Sequence, residues 1–230
     1  GTGGVFSGLF TVLDGSTAAG NVTTTGQYNI NTGRASIVKG TINNTGTISM
    51  NGDVSTAYLL VDGVVSLEGS GRVTMNDVSD NLIRYNSSGS SDWLINKQTI
   101  EGRGTIGVLL ENFAGKLVDA NVLGQTLGIS ASTINDPTAT LRASNGGTLS
   151  LNSIAVTNID ATIQAQNGST VLMNNSTIYG GLIDNQPGGS IFSGSSTFLD
   201  GSVSNNLTIQ GTYTLGDGAA TALKGTINNN

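Results

Sequence analysis

One recurrence constrains this chain more than any other feature. Four short alternating pieces, Thr148-Leu149-Ser150-Leu151, Thr170-Val171-Leu172-Met173, Ser190-Ile191-Phe192-Ser193 and Thr212-Tyr213-Thr214-Leu215, follow one another at nearly even spacing. Each follows a glycine-bearing step: Gly146-Gly147, Gly168-Ser169, Gly188-Gly189 and Gly211. Between them lie further short apolar pieces such as Ile154-Ala155-Val156, Ala161-Thr162-Ile163 and Leu182-Ile183. Two or three short strands per period of roughly 20–22 residues describe a β-helix coil. A single coil cannot bury its inward side chains alone. Coils stacked about 4.8 Å apart pair every backbone group and make one continuous apolar column. Alternation sends Ile, Leu and Val inward and Thr, Ser and Asn outward, while Gly and Asn take the corners, where positive φ is tolerated. The expected fold is therefore all-β, a single right-handed parallel β-helix (β-solenoid) over residues 1–230. At roughly 21 residues per coil it has about ten to eleven coils and runs for about 50 Å.

Composition agrees with that architecture and removes several functions. The 230 residues include 34 glycines, two prolines, no cysteine and no histidine. The usual ligands for zinc, haem and iron–sulfur groups are missing, as are the partners of a Ser-His-Asp or Cys-His site. No cofactor is expected. A formal charge of −6, with nine basic residues scattered along the chain, argues against nucleic-acid binding. No apolar run is long enough to span a membrane as a helix. The chain opens at Gly1 without a basic or apolar leader, which reads as a mature fragment or an excerpt. Residues 107–120 are the best helical candidate, but Asn112 and Gly115 interrupt the spacing, and another coil is the expected structure there.

A second, longer recurrence joins the two ends. Residues 6–44 and 192–229 align with a gap of a single position, and about half of the pairs are identical. Matches include Phe6 with Phe192, Leu13-Asp14-Gly15 with Leu199-Asp200-Gly201, Tyr28 with Tyr213, and Lys39–Asn44 with Lys224–Asn229. Residues 6–45 and 192–230 thus read as similar ends of a higher-order repeat of about 185 residues. Gly225–Asn230 stop where the first copy runs on into Gly46-Thr47-Ile48-Ser49-Met50. An excerpt of a tandem array is the expected origin; a complete subunit with matching ends is the alternative. Either way the ends are candidates for self-association, with Phe6, Gly15, Lys39 and Ile42 on one side and Phe192, Gly201, Lys224 and Ile227 on the other.

Residues 76–103 depart from the pattern. They hold seven of the 24 charged residues, namely Asp77, Asp80, Arg84, Asp92, Lys97, Glu101 and Arg103, together with the only tryptophan, Trp93, and Tyr85. This reads as a longer loop or an elaborated coil, and function on repeat scaffolds often sits in such insertions. Trp93, Tyr85 and Arg84 are the candidate ligand-binding residues, since an aromatic beside polar groups suits a sugar ring. Hydrolysis of a glycan needs two carboxylates. Residues about one period apart would stack, so Asp80 with Glu101 and Asp62 with Arg84 are the pairs to test, with Arg103 beside them. A ladder of ion pairs on a solvated face explains the same spacing, and residues 143–223 contain no basic residue at all. No catalytic residue is assigned and no enzyme activity is expected. The calcium-binding nonapeptide of β-rolls is missing, and Asp77 with Asp80 do not make a metal site. Thr-x-Thr pieces do not recur at every coil, as an ice-binding face would need.

Three segments carry a family resemblance. Residues 40–48, GTINNTGTI, resemble a G-T-I-x-N-x-G-T-I strand-turn-strand unit. Leu67-Glu68-Gly69-Ser70-Gly71-Arg72-Val73 and Ile100-Glu101-Gly102-Arg103-Gly104-Thr105-Ile106 resemble its L-x-G-x-G-x-[IV] variant. This style is similar to that of filamentous-haemagglutinin-like and autotransporter-passenger β-helix repeats of large bacterial surface proteins. The resemblance implies a secreted or surface-held protein with roles in adhesion, biofilm or fibre formation, and it transfers no catalytic residue. The expected function is a structural segment of an extracellular bacterial fibre or stalk. Its expected partners are copies of itself or adjacent repeats, head to tail, and surface glycans through residues 76–103 in the adhesin alternative. A polysaccharide-active enzyme is the remaining alternative.

Overall fold

The structure, a computed structural model, describes residues 4–16, 20–76, 81–87 and 91–230. Among these there are strands and turns and no helix. The chain forms two compact units, Gly1–Glu111 and Asn112–Asn230. Both are parallel β-solenoids, of about nine turns in all.

In the first unit, one row of parallel strands comprises Val5–Phe6, Gln27–Asn31, Thr47–Asn51, Arg72–Met75 and Thr99–Gly102. Its register pairs Val5 with Tyr28, Gln27 with Thr47, Thr47 with Arg72, and Arg72 with Thr99, so the last two coils of the row are the longest. The inward column Tyr28, Ile48, Val73 and Ile100 follows this register and is buried. Two strands, Ala35–Asn44 and Ala57–Glu68, run round a corner, and their register shifts between Lys39 and Gly40.

The second unit is more regular. Its row comprises Leu117–Ala120, Thr140–Ala143, Thr162–Ala165, Gly181–Asn185, Leu207–Gln210 and Ile227–Asn229. Here Leu117 pairs with Thr140, Thr140 with Thr162, Thr162 with Leu182, Leu182 with Thr208, and Leu207 with Ile227. Val118, Leu141, Ile163 and Ile183 stack in register and are fully buried. Each such side chain contributes about 1.5–3 kcal/mol by leaving water. The four pieces that reveal the period pair in register, Thr148 with Thr170, Thr170 with Ser190, and Ile191 with Tyr213. An even period gives ten to eleven coils. Longer turns, such as Thr47 to Arg72 and Arg72 to Thr99, bring the number to about nine.

One corner of this unit carries a buried amide row. Asn112 Nδ2 donates to Asn135 Oδ1 at 2.9 Å, and Asn135 Nδ2 donates to Asn158 Oδ1 at 2.8 Å. The same Nδ2 groups reach backbone carbonyls of the corner: Lys116 and Thr140 for Asn112, Ala139 and Thr162 for Asn135, Ala161 and Leu182 for Asn158. Asn carries both donor and acceptor on one short arm, so it satisfies its own corner and the next.

The segment weighed as a helix, residues 107–120, is strand: Leu109–Asn112 and Leu117–Ala120, joined by a turn in which Lys116 N donates to Phe113 O at 2.9 Å. Within residues 76–103, the described parts are also coil strands. Asn81–Tyr85 pairs with the first half of Ala57–Glu68, and Trp93–Asn96 pairs with its second half. Val64 pairs with Trp93, a wider step than Thr47 to Arg72, so this coil is enlarged. Asp77 and Asp80 lie outside the described residues, and with Asp80 the expected pair of Asp80 and Glu101.

Candidate functional site

Trp93 faces outward, half-buried, beside the buried Leu94, and stacks in register with Val64. Tyr85 ends its strand 44% exposed. The Arg84 guanidinium lies over the Tyr58 ring, 5.2 Å from its centroid, a favourable cation–π geometry. Arg84 and Tyr85 are on the strand over Ala57–Val61, whereas Trp93 is on the strand over Val64–Leu67.

The expected pair of Asp62 with Arg84 is not formed. The register sets Arg84 beside Leu60, and Asp62 instead accepts from Lys39 Nζ at 3.0 Å and from Asn86 Nδ2 at 3.0 Å. The coil here is longer than an even period assumes, and that displaces the pair. Glu101 accepts from Arg72 Nη1 at 3.2 Å, and Glu68 accepts from Lys97 Nζ at 2.8 Å. These are ladders of ion pairs on successive coils. Among the described residues, no group of three or more Asp, Glu, His or Cys is placed to hold a metal.

The repeated ends behave differently from this stretch, because each builds the same corner. Asp14 Oδ1 accepts from Ser16 N at 3.0 Å and Ser16 Oγ at 2.5 Å; Asp200 Oδ1 accepts from Ser202 N at 2.9 Å and Ser202 Oγ at 2.5 Å. Asp14 stacks in register with Lys39, and Asp200 with Lys224. The Ser16 bonds hold the Asp14 carboxyl below its ordinary range, and the Ser202 bonds do the same for Asp200. Tyr28 Oη pairs with Ser36 Oγ at 2.8 Å, and Tyr213 Oη with Thr221 Oγ1 at 3.0 Å. Val22 stacks on Ile42, and Leu207 on Ile227.

The glycines that follow the paired Asp and Lys residues are required by this geometry. Gly40 and Gly225 have φ of +60° and +72°, and a Cβ there would overlap the amide nitrogens of Ser16 and Ser202. A Cβ on Gly15 or Gly201 would overlap the carbonyl oxygen of Thr41 or Thr226. The L-D-G and K-G-T-I-N-N matches therefore preserve one stacked corner in two places.

The two copies differ in where the lysine points. Lys39 lies between Asp14 on one side and Asp62 on the other, and its Nζ takes Asp62. The bond to Asp62 raises Lys39, and the bond from Lys39 holds Asp62 low. Lys224 Nζ turns back to Asp200 at 3.1 Å, with 58% of its side chain exposed.

Both ends present apolar surface. At the first coil, Val5, Phe6, Phe10 and Val12 are between 52% and 69% exposed. At the last coil, Leu223 is 62% exposed and adjoins an open cavity of about 600 Å³ lined by Leu199, Ile209, Tyr213, Leu215 and Ile227. Phe192 is half-buried on an inner coil, in register with Leu172 and Thr214.

The chain matches no protein-family profile, no curated protein and no solved structure.

Two features are hard to find in the sequence. The amides of Asn112, Asn135 and Asn158 are evenly spaced, but that spacing does not stand out in a chain rich in Asn. The serine two positions after Asp14 and Asp200 is conspicuous only once both aspartates are seen to stack on lysine.

Proposed function

We propose that this chain is a structural segment of an extracellular bacterial fibre or stalk, related in style to the filamentous-haemagglutinin and autotransporter-passenger repeats, and that it self-associates head to tail. One observation carries the reading: Asp14, Ser16 and Lys39 build the same stacking corner as Asp200, Ser202 and Lys224. Parallel strand edges template further strands, and a contact between two different surfaces of identical molecules propagates as a filament unless its rotation closes a ring. The reading includes no catalytic role. The adhesin alternative has less behind it, because Arg84 is engaged by Tyr58 and because Trp93 lies on a different strand from Tyr85.

Sedimentation velocity over a hundredfold concentration range tests the reading. The weight-average sedimentation coefficient should rise continuously with concentration, because an open contact has no preferred final size. A single monomer boundary at every concentration would overturn it, and a single stable dimer would show that the contact closes.

A further inference from the structure

We propose that the second unit carries a binding groove for an uncharged glycan, on the side of its stack, with Gln166 and Gln186 as the residues that hold the sugar. The inference is independent of the self-association reading and involves none of residues 76–103.

The groove measures about 550 Å³ and is lined by Asn145, Gln164, Gln166, Asn167, Gln186 and Pro187. These residues come from three successive coils: the strands Thr140–Ala143, Thr162–Ala165 and Gly181–Asn185, with the corners that follow them. Further coils stack on either side, since Leu117 pairs with Thr140 before the groove and Leu182 with Thr208 after it. The groove therefore owes nothing to where the chain begins or ends. Its corners are alike. The backbone amides of Gln166 and Gln186 continue the ladder, donating to the carbonyls of Ala143 and Ala165 at 3.0 and 2.9 Å. Asn145-Gly146, Asn167-Gly168 and Pro187-Gly188 then turn the chain, with the glycines at φ of +80°, +73° and +80°. A Cβ on Gly188 would overlap Asn167 Oδ1, so this glycine makes room for an amide of the coil before it.

One buried carboxylate orients the amides. Asp184 is 5% exposed. Its Oδ2 accepts from Gln164 Nε2 at 2.8 Å and from Gln186 Nε2 at 2.5 Å, and Gln164 Oε1 accepts from Gln166 Nε2 at 3.2 Å. A carboxylate only accepts, so Gln164 and Gln186 turn their nitrogens toward it and their oxygens away. Gln164 passes the same order on to Gln166. The amide oxygens of Gln166 and Gln186 are thus left to accept from a ligand. Asp184 Oδ1 is buried with no hydrogen-bond partner among the described residues. Buried polar atoms of a structural network are normally paired, and a donor entering the groove would complete this one.

The lining selects the chemistry of the ligand. An anion finds no base, because residues 143–223 contain none and Arg142, beside Gln164 in the register, is bonded to Asp119. A cation finds a single carboxylate that already holds two amides. An apolar ligand would bury the amides without partners, at a cost. A primary amide both donates and accepts, and so does a sugar hydroxyl. The exposed Pro187 ring offers an apolar face to the C–H side of a sugar ring. Coils lie about 4.8 Å apart, close to the length of one sugar residue in an extended chain, so three coils suit three residues of a linear glycan.

The test titrates the full chain with cellotetraose, mannotetraose and chitotetraose, and with tetragalacturonate as an acidic control. Calorimetry measures affinity, and hydrogen exchange locates the contact. At least one neutral sugar should bind and slow exchange over residues 164–170 and 184–190, and the acidic one should not. The double variant Gln166→Ala, Gln186→Ala should bind that sugar about tenfold or more weakly, with circular dichroism and melting like the parent's. Trp93→Ala should bind it as the parent does. Asp184→Asn should also weaken binding by the folded chain, since an amide no longer forces both nitrogens inward; altered melting with parent-like affinity would overturn the positioning role of Asp184. No binding of any neutral sugar, or tighter binding of the acidic one, would overturn the proposal. Protection confined to other residues would overturn it too, without reference to any variant, and so would binding lost in Trp93→Ala and kept in the double variant.

Discussion

Replacing Asn135 with leucine is expected to destabilise the second unit by about 3–5 kcal/mol, as each buried polar group left without a partner costs about 1–3 kcal/mol. Leucine matches the branching of asparagine atom for atom and suits a solenoid interior, so a packing argument alone would forecast a smaller change. The hydrogen bonds forecast otherwise. Asn135 Nδ2 serves Asn158 Oδ1 and the carbonyls of Ala139 and Thr162, and its Oδ1 receives Asn112 Nδ2. All three asparagines of the row are at most 1% exposed, so water cannot replace the lost donor. Nearest-neighbour stacking makes the damage spread to the coils on both sides. Urea unfolding followed by circular dichroism checks this against Asn205→Gly, which removes an amide that bonds Asp160 at an exposed corner, suits the φ of +67° there and should cost less than about 1 kcal/mol. A loss below that same value for Asn135→Leu would show that the row is not a source of stability.

Replacing Arg142 with methionine is expected to cost about 3–5 kcal/mol, the usual loss when one member of a buried ion pair is removed. Asp119 has only 4% of its side chain exposed, and Arg142 Nη2 donates to its Oδ2 at 2.6 Å. Ser144 Oγ donates to the same carboxylate at 2.9 Å. Methionine keeps much of the length of the arginine stem, so the loss reports an uncompensated buried charge more than lost packing. The double variant Asp119→Asn, Arg142→Met removes the charge and leaves Ser144 an amide oxygen to donate to. It should regain most of the stability in the same urea unfolding experiment. A double variant as unstable as Arg142→Met alone would locate the loss in packing. The exposed pair of Arg72 with Glu101 provides the contrast, because pairs in water contribute only about 0–1 kcal/mol.

The solenoid is legible in this chain because alternation and the glycine steps recur evenly over residues 148–215, and the register there follows the spacing that the sequence shows. It is less legible in the first unit, where wider coils, such as Thr47 to Arg72 and Val64 to Trp93, carry the same strands with longer corners. Corner length leaves no periodic signal, since Gly, Ser and Asn suit a short corner and a long one alike. That is why Asp62 and Arg84, spaced close to the even period, are not neighbours, whereas Lys97 and Glu68, further apart in sequence, are bonded. The matching ends are legible as strings, but their meaning is not. Phe6 and Phe192 align, yet one lies on an exposed edge and the other within the stack. What the alignment preserves is a corner: aspartate, serine, lysine and two glycines that admit the neighbouring backbone. Side chains that lie side by side only after stacking cannot be read from either copy alone.

If the last coil of one copy receives the first coil of the next, the purified chain should polymerise without any other component. Negative-stain electron microscopy over a concentration series makes this visible. Unbranched filaments are expected, with a length that grows with concentration and a width that stays fixed. Particles of single-chain size at every concentration would contradict head-to-tail assembly.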